Sequence, residues 1–350
     1  MKTWSTPDTD WEEAQAELEA QGVTDGLPVV PPTPARVAAM LEANGYAPNA
    51  EVCELAPAFQ PALWQDIAIN AVMAGCRPEY LPIIGAALEA MAADEFNLMG
   101  ITTTTGSAAP LVIVNGPVAG RIGMNWGANA LGPGNRANAT IGRAVGLCLR
   151  NIGGATPGEV DMATLGQPAK YTCCLAENEA QSPWTPLHVE RGYAAGDSVV
   201  TVVGIAGIVE VIDSASGKAA ELAQTFAQSM LIAGTAGGSG MLGGGEPLLI
   251  IPPEQVATCT RDGCSKQQLK AAIFERAVMP LDRLSPAVRE HLVGRRAGEP
   301  GALDAPLRIA QKADDLMIVV AGGVGVKAAY APTWDTSRAV SRLVKTRERP

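Results

Sequence analysis

The chain has 350 residues, of which 47% are hydrophobic and 18% charged, and its formal net charge is −10. That apolar share supports a sizeable core and excludes a disordered chain. The acidic balance excludes the basic footprint that nucleic acid or an anionic membrane surface requires, though a local Arg cluster can still hold a small anion.

The length suits one large domain or two tightly packed ones. An N-terminal helical and extended segment is expected over 1–60, then a main α/β domain over 61–350 with a candidate division near 195. Residues 9–21 read as an acidic helix capped by Thr9 or Asp10. The proline-rich stretch after Thr24 is extended, and Thr33 caps a helix that starts at Pro34 and runs to about Asn44. Helical period returns over 63–75 and 79–93, and Asp66 and Asn70 share a face. A Thr run (Thr102–Thr105) precedes a buried-type strand, Leu111–Val114.

Gly132-Pro-Gly-Asn-Arg136 is a turn into a helix ending near Asn151. There Ala137, Ile141, Val145 and Leu149 form a core stripe, and Arg136, Arg143 and Arg150 share another face. Tyr171–Leu175 reads as a strand, followed by the polar loop 177–184. One or two strands follow over 198–212, then a helix over 215–233, a Gly-rich loop over 237–245 and the strand Leu248–Ile251. Helices are expected near 253–261, 265–278 and 285–293, and a last strand over Leu316–Ala321. Alternating strands and helices make this an α/β or α+β chain, a mixed sheet layered with helices.

The Gly turn at 132–136 presents free N–H groups and a positive helix end to an anion. Gly134, Asn135, Arg136 and Asn138 are therefore candidate substrate-binding residues, joined by Thr104 from the Thr run. For Arg150 a solvated helix face is the simpler reading. His188 and Glu190 are expected to share a strand face, just after the acidic Glu177-x-Glu179 loop. A His steered by a carboxylate is an acid–base unit. His291, in a charged helix, reads as surface.

Seven cysteines (Cys53, Cys76, Cys148, Cys173, Cys174, Cys259, Cys264) in irregular spacing suit a reduced, cytoplasmic protein. No apolar leader and no long apolar stretch is visible, which points the same way. Cys173 and Cys174 point to opposite faces, one into the core and one toward a cavity. Cys264 lies near a helix start beside Lys266, a setting that lowers a thiol pKa. Cys264 and Lys266 thus join His188, Glu190 and Glu177 as candidate catalytic residues, with small buried hydrophobes as the alternative for the thiols.

No metal-ligand spacing is present, and no cofactor is called for. Gly238-Ser-Gly240-Met-Leu-Gly243 matches the dinucleotide spacing, but a helix precedes it and a strand follows, the reverse of the required order. Gly322-Gly-Val-Gly325 follows a strand, yet Ala329-Tyr-Ala-Pro332 makes a poor helix.

Several long stretches carry a resemblance. They are Thr24-Asp-Gly-Leu-Pro-Val-Val-Pro-Pro, Gly132-Pro-Gly-Asn-Arg-Ala-Asn-Ala-Thr-Ile-Gly142, Glu177-Asn-Glu, Ser182-Pro-Trp-x-Pro-Leu-His-Val-Glu-Arg191, Asp262-Gly-x-Ser-Lys266 and Val320-Ala-Gly-Gly323. The chain resembles, over nearly its whole length, the bacterial companions of UGSC-motif selenoproteins and their cysteine forms. The resemblance implies a protein partner with a reactive Cys or selenocysteine. That family often has Trp at the position of Cys264 and His near Met99, so both places are altered here.

Three functions stay open. The first is an enzyme (lyase, hydrolase or oxidoreductase) or enzyme subunit, acting on a small anionic or thiol-reactive molecule by acid–base or thiol chemistry, as a homo- or hetero-oligomer. The second is a non-catalytic partner subunit of a thiol or selenol enzyme. The third is a nucleotide-dependent oxidoreductase using the Gly loops.

Overall fold

A computed structural model describes residues 10–231, 245–296, 307–334 and 336–345. The chain opens with α1 (Trp11–Ala20), α2 (Pro34–Glu42), a hairpin of β1 (Glu51–Leu55) and β2 (Gln60–Leu63), α3 (Trp64–Ala74), α4 (Leu81–Met91) and α5 (Leu98–Thr103). Next come β3 (Ala109–Asn115), α6 (Pro117–Arg121), α7 (Arg136–Asn151), β4 (Cys174–Ala176), α8 (Leu187–Glu190), β5 (Val199–Ile205) and β6 (Val209–Ile212). Then follow α9 (Ala219–Met230), β7 (Leu248–Ile251), α10 (Pro253–Arg261), α11 (Lys266–Arg276), β8 (Val278–Met279), α12 (Pro286–Arg296) and β9 (Leu307–Arg308). β10 (Met317–Val320), β11 (Lys327–Ala331) and β12 (Val340–Leu343) complete the described chain.

The fold is α/β, in four layers. One mixed sheet has the order β12-β5-β3-β4, and a second has β10-β7-β11-β6. β3 and β4 run parallel, as do β7 and β10, and the other pairings within these two sheets are antiparallel.

Strand alternation explains the layering. Val112, Val114, Cys174, Val200 and Val202 turn one face of the first sheet to α1–α4 and α7. Their neighbours Leu111, Ile113, Leu175 and Val203 face Leu248, Ile250, Met317 and Val319 of the second sheet. The far face of that sheet, with Leu249, Ile251, Ile318 and Tyr330, packs on α9, α10 and α11. Cys173 and Cys174 fall on opposite faces as expected, but both are buried in core.

α2 packs on α3, and β1 pairs with β2 across residue 60. The chain passes from the first sheet to the second at 206–208, and β12 returns to the first sheet. Thr33 caps α2 through the Arg36 N–H, and Asn135 caps α7 through the Asn138 N–H. β11 and β12 occupy stretches without strand alternation. Among the described residues no helix is long and apolar enough to cross a membrane.

α7 lies directly on the turn into β4, which requires glycine at 142. A Cβ there would stand 2.5 Å from the Thr172 hydroxyl and 2.7 Å from the Cys173 nitrogen. Thr172 donates to the Ala139 carbonyl, while Gly146 approaches the Lys170 carbonyl. α7 therefore runs antiparallel to β4, and its N-terminus sits at the end where β3 and β4 finish.

Candidate functional site

Three segments meet at that end of the sheets. β3 finishes at Asn115, β4 delivers Glu177, Asn178 and Glu179, and β10 finishes at Val320, whose carbonyl accepts from the Asn178 N–H at 2.7 Å. Gly116 turns the chain after β3 at φ +81, where any Cβ would collide with the Asp197 carbonyl at 2.0 Å. The C-terminal ends of parallel strands are where open α/β sheets place ligands.

Glu177 is 4% exposed. Its Oε2 accepts from Asn115 Nδ2 at 2.6 Å and from the Leu187 N–H at 2.8 Å. Its Oε1 has no partner among the described residues, and neither has Asn115 Oδ1. Burial pushes the Glu177 carboxyl above its ordinary range; Lys266 and the two hydrogen bonds oppose this without cancelling it. Glu179 Oε1 accepts from Asn115 Nδ2 and the Gly116 N–H, at 2.9 and 2.7 Å.

His188 is fully buried, and neither ring nitrogen has a hydrogen-bond partner among the described residues. Glu179 Oε1 lies 3.8 Å from Nδ1, beyond hydrogen-bond reach. Glu179 itself is partly exposed.

His188 and Glu190 do not share a strand face. Pro186 starts a single helical turn, α8, on which residues two apart point about 200° apart. Glu190 turns instead to α11. It accepts from Lys266 Nζ at 2.8 Å and from Lys270 Nζ at 3.4 Å. Lys266 also donates to the Thr185 carbonyl at 2.9 Å. Burial holds the Lys270 ammonium below its ordinary range despite Glu190.

Lys266 therefore pairs with Glu190, and the Cys264 thiol gains no activation from it. Burial first and Asp262 second push that thiol up, the opposite of the expected direction. The other six share the trend: Cys53, Cys76, Cys173 and Cys259 are pushed to about 12, and Cys148 and Cys174 well above their ordinary value. A thiol held up by burial is a poor nucleophile.

The α7 residues sit at the same end of the sheet but are differently occupied. Asn138 is spent on structure: its Oδ1 accepts from the Asn125 N–H, and its Nδ2 donates to the Asn125 and Ala130 carbonyls. Asn135 caps Asn138 and donates to the Gly123 carbonyl. Both asparagines thus fasten the 123–130 loop. Gly134 has φ +115, which favours glycine whatever binds nearby. Arg136 donates from Nε to the Gly75 carbonyl at the end of α3. Thr104 accepts from the Gly106 N–H. Among the described residues no hydrogen bond or ion pair joins Arg136 or Thr104 to the Glu177–His188 group, and neither described cavity holds Arg136 with His188.

Sequence reasoning missed Asn115, Lys270 and the role of Glu179. An asparagine closing an apolar strand, and a second lysine four residues after Lys266, were the available signals. Gly238–Gly243 lies outside the described residues. The Gly322–Gly325 turn leads from β10 into β11, so no helix N-terminus follows to take a pyrophosphate.

No protein-family model, no curated protein and no solved structure matches the chain.

Proposed function

We propose that this chain is an enzyme, or the acid–base subunit of one, that moves a proton on a small anionic organic molecule at Glu177 and His188. One observation carries this reading. Four polar atoms at one strand end (Asn115 Oδ1, Glu177 Oε1 and both His188 ring nitrogens) are buried and have no partner among the described residues. The six other such atoms among the described residues fall on six different side chains; buried polar groups are mostly paired, so four together call for water or a ligand.

The chemistry follows from the surroundings. Asn115 and the Leu187 N–H hold one oxygen of Glu177 and leave the other free to exchange a proton. A carboxyl raised by burial keeps its proton closer to neutral pH, which is what a general acid needs. The imidazole supplies a second site of proton transfer. Lys266 lends positive charge to the group from the Glu190 side.

No cysteine of this chain is set up as a nucleophile, so thiol or selenol chemistry would belong to a partner. The resemblance to companions of UGSC-motif proteins supports that division of labour.

The test is hydrogen exchange, which needs no complete reaction. Wild-type protein is incubated in D2O with a panel of small carboxylates, and deuterium at carbon is read by mass spectrometry. Exchange into at least one acid is expected, falling a hundredfold or more in both His188→Gln and Glu177→Gln, in line with a general acid–base contribution of about 10²–10⁴. Exchange that survives both substitutions removes these residues from the chemistry.

A further inference from the structure

The last of the three arginines of α7 has a different setting. Arg150 lies fourteen residues beyond Arg136, about 21 Å along the helix, so it stands far from the Glu177 end. It lines a cavity of about 610 Å³, within the size range of small-molecule sites, about 300–1,000 Å³.

The walls divide by chemistry. Ile101, Ala108, Pro110, Leu147 and Leu149 supply an apolar floor. Four charged residues line the space: Asp25, Asp161, Lys170 and Arg150. Three of them are already compensated. Lys170 Nζ binds Asp161 at 2.6 Å, and Arg143 grips both oxygens of Asp25 at 2.7 Å.

Arg150 is the exception. It donates from one terminal nitrogen to the Gly22 carbonyl, and its Nε has no partner among the described residues. Among those residues no carboxylate lies within ion-pair distance of it. In a chain of net charge −10, the uncompensated charge of this cavity is positive. Arg150, expected on a solvated helix face, is partly exposed and also lines this cavity.

The mouth is shaped by the connection from α7 to β4, residues 152–173, which has only a one-turn 3₁₀ helix at Pro168–Lys170. Connections of that length inside a compact domain are uncommon and are often functional. Leu165, on this connection, lines the cavity rim at 94% exposure, a large apolar side chain left in water.

We infer that this cavity binds a monocarboxylic acid with an apolar body, its carboxylate on the Arg150 guanidinium and its chain or ring along Leu147, Leu149 and Ile101 toward Leu165. Among the described lining residues Arg150 is the one cation without a carboxylate partner, and one guanidinium suits a single negative charge. A phosphate monoester brings nearly two charges and would seek more donors.

The experiment is calorimetric titration of the full chain with decanoate, octyl phosphate and decanol. Decanoate is expected to bind with one site. Affinity should fall tenfold or more in Arg150→Gln. Ala163→Trp, which fills the space from a half-buried loop position lining the cavity, should abolish binding while leaving the fold intact. His188→Gln should leave decanoate binding unchanged, which separates this site from the proton-transfer centre. Failure of decanoate to bind overturns the inference, as does affinity indifferent to both cavity variants. Decanol binding as tightly as decanoate removes the role of Arg150. Octyl phosphate binding more tightly reassigns the headgroup and overturns the monocarboxylate.

Discussion

Two polar groups containing buried side chains lie on either side of α8, and they are built on opposite principles. In one, Glu190 meets Lys266 and Lys270, and Lys266 also reaches the Thr185 carbonyl. In the other, Glu177, Asn115 and His188 leave four buried atoms without partners among the described residues. The first spends its charges on one another and fastens α8 to α11. The second holds polar capacity in reserve, and reserve costs stability that only function repays. Burial by itself therefore does not identify a site; unmet hydrogen-bonding capacity within the buried group does.

Breaking the first group gives the largest effect. Lys266→Met removes the 2.8 Å contact and leaves Glu190 facing one weaker lysine, with the Thr185 carbonyl unmet. Glu190 keeps part of its side chain in water and retains Lys270, so the loss is that of charge-assisted hydrogen bonds from a half-buried pair, about 2 kcal/mol, to be read from urea denaturation. A loss below about 0.5 kcal/mol, the level of an exposed pair, would show that this knot does not hold α8 in place.

The second group predicts a pH dependence. Glu177 has its carboxyl raised by burial from an unfolded value near 4.5. Within the window above that value the native state binds more protons than the unfolded one, so stability falls as pH rises through the raised native pKa. Its contribution is thus best at low pH and lost toward neutrality. Glu177→Gln should flatten this component, seen as a smaller change in urea midpoint between pH 5 and pH 8 than wild type shows. An unchanged or steeper difference would mean that the carboxyl titrates normally despite its burial.

The contrast between the two groups was only half visible in the sequence. The layers were legible: the apolar runs at 109–115, 248–251 and 317–320 became core strands, and the four-residue stripe of α7 became its packing face. β11 and β12 were not, because Ala-rich or short strands carry no alternation and form only where a neighbour offers a free edge. Leu187-His-Val-Glu190 alternates like a strand, but Pro186 and the backbone bonds to it close a helical turn instead. Glu177, His188, Glu190 and Lys266 could be picked out as polar residues in odd places. Which carboxylate meets which cation could not, since that depends on how two sheets stack and where α11 crosses α8. The same stacking turned Cys264 away from the lysine two residues on.

The smallest expected effect is the most discriminating one. His188→Leu removes a fully buried ring and would ordinarily be costly, because deleted core volume leaves a cavity. Here the ring carries two nitrogens that gain no hydrogen bond from the described protein and lose their water on folding. Relief of that desolvation offsets the lost packing, so the stability change should stay within about 1 kcal/mol while deuterium exchange at the site disappears. The opposite pattern, several kcal/mol lost with exchange retained, would make His188 a structural residue like Lys266, and the distinction between the two groups would then fail at its centre.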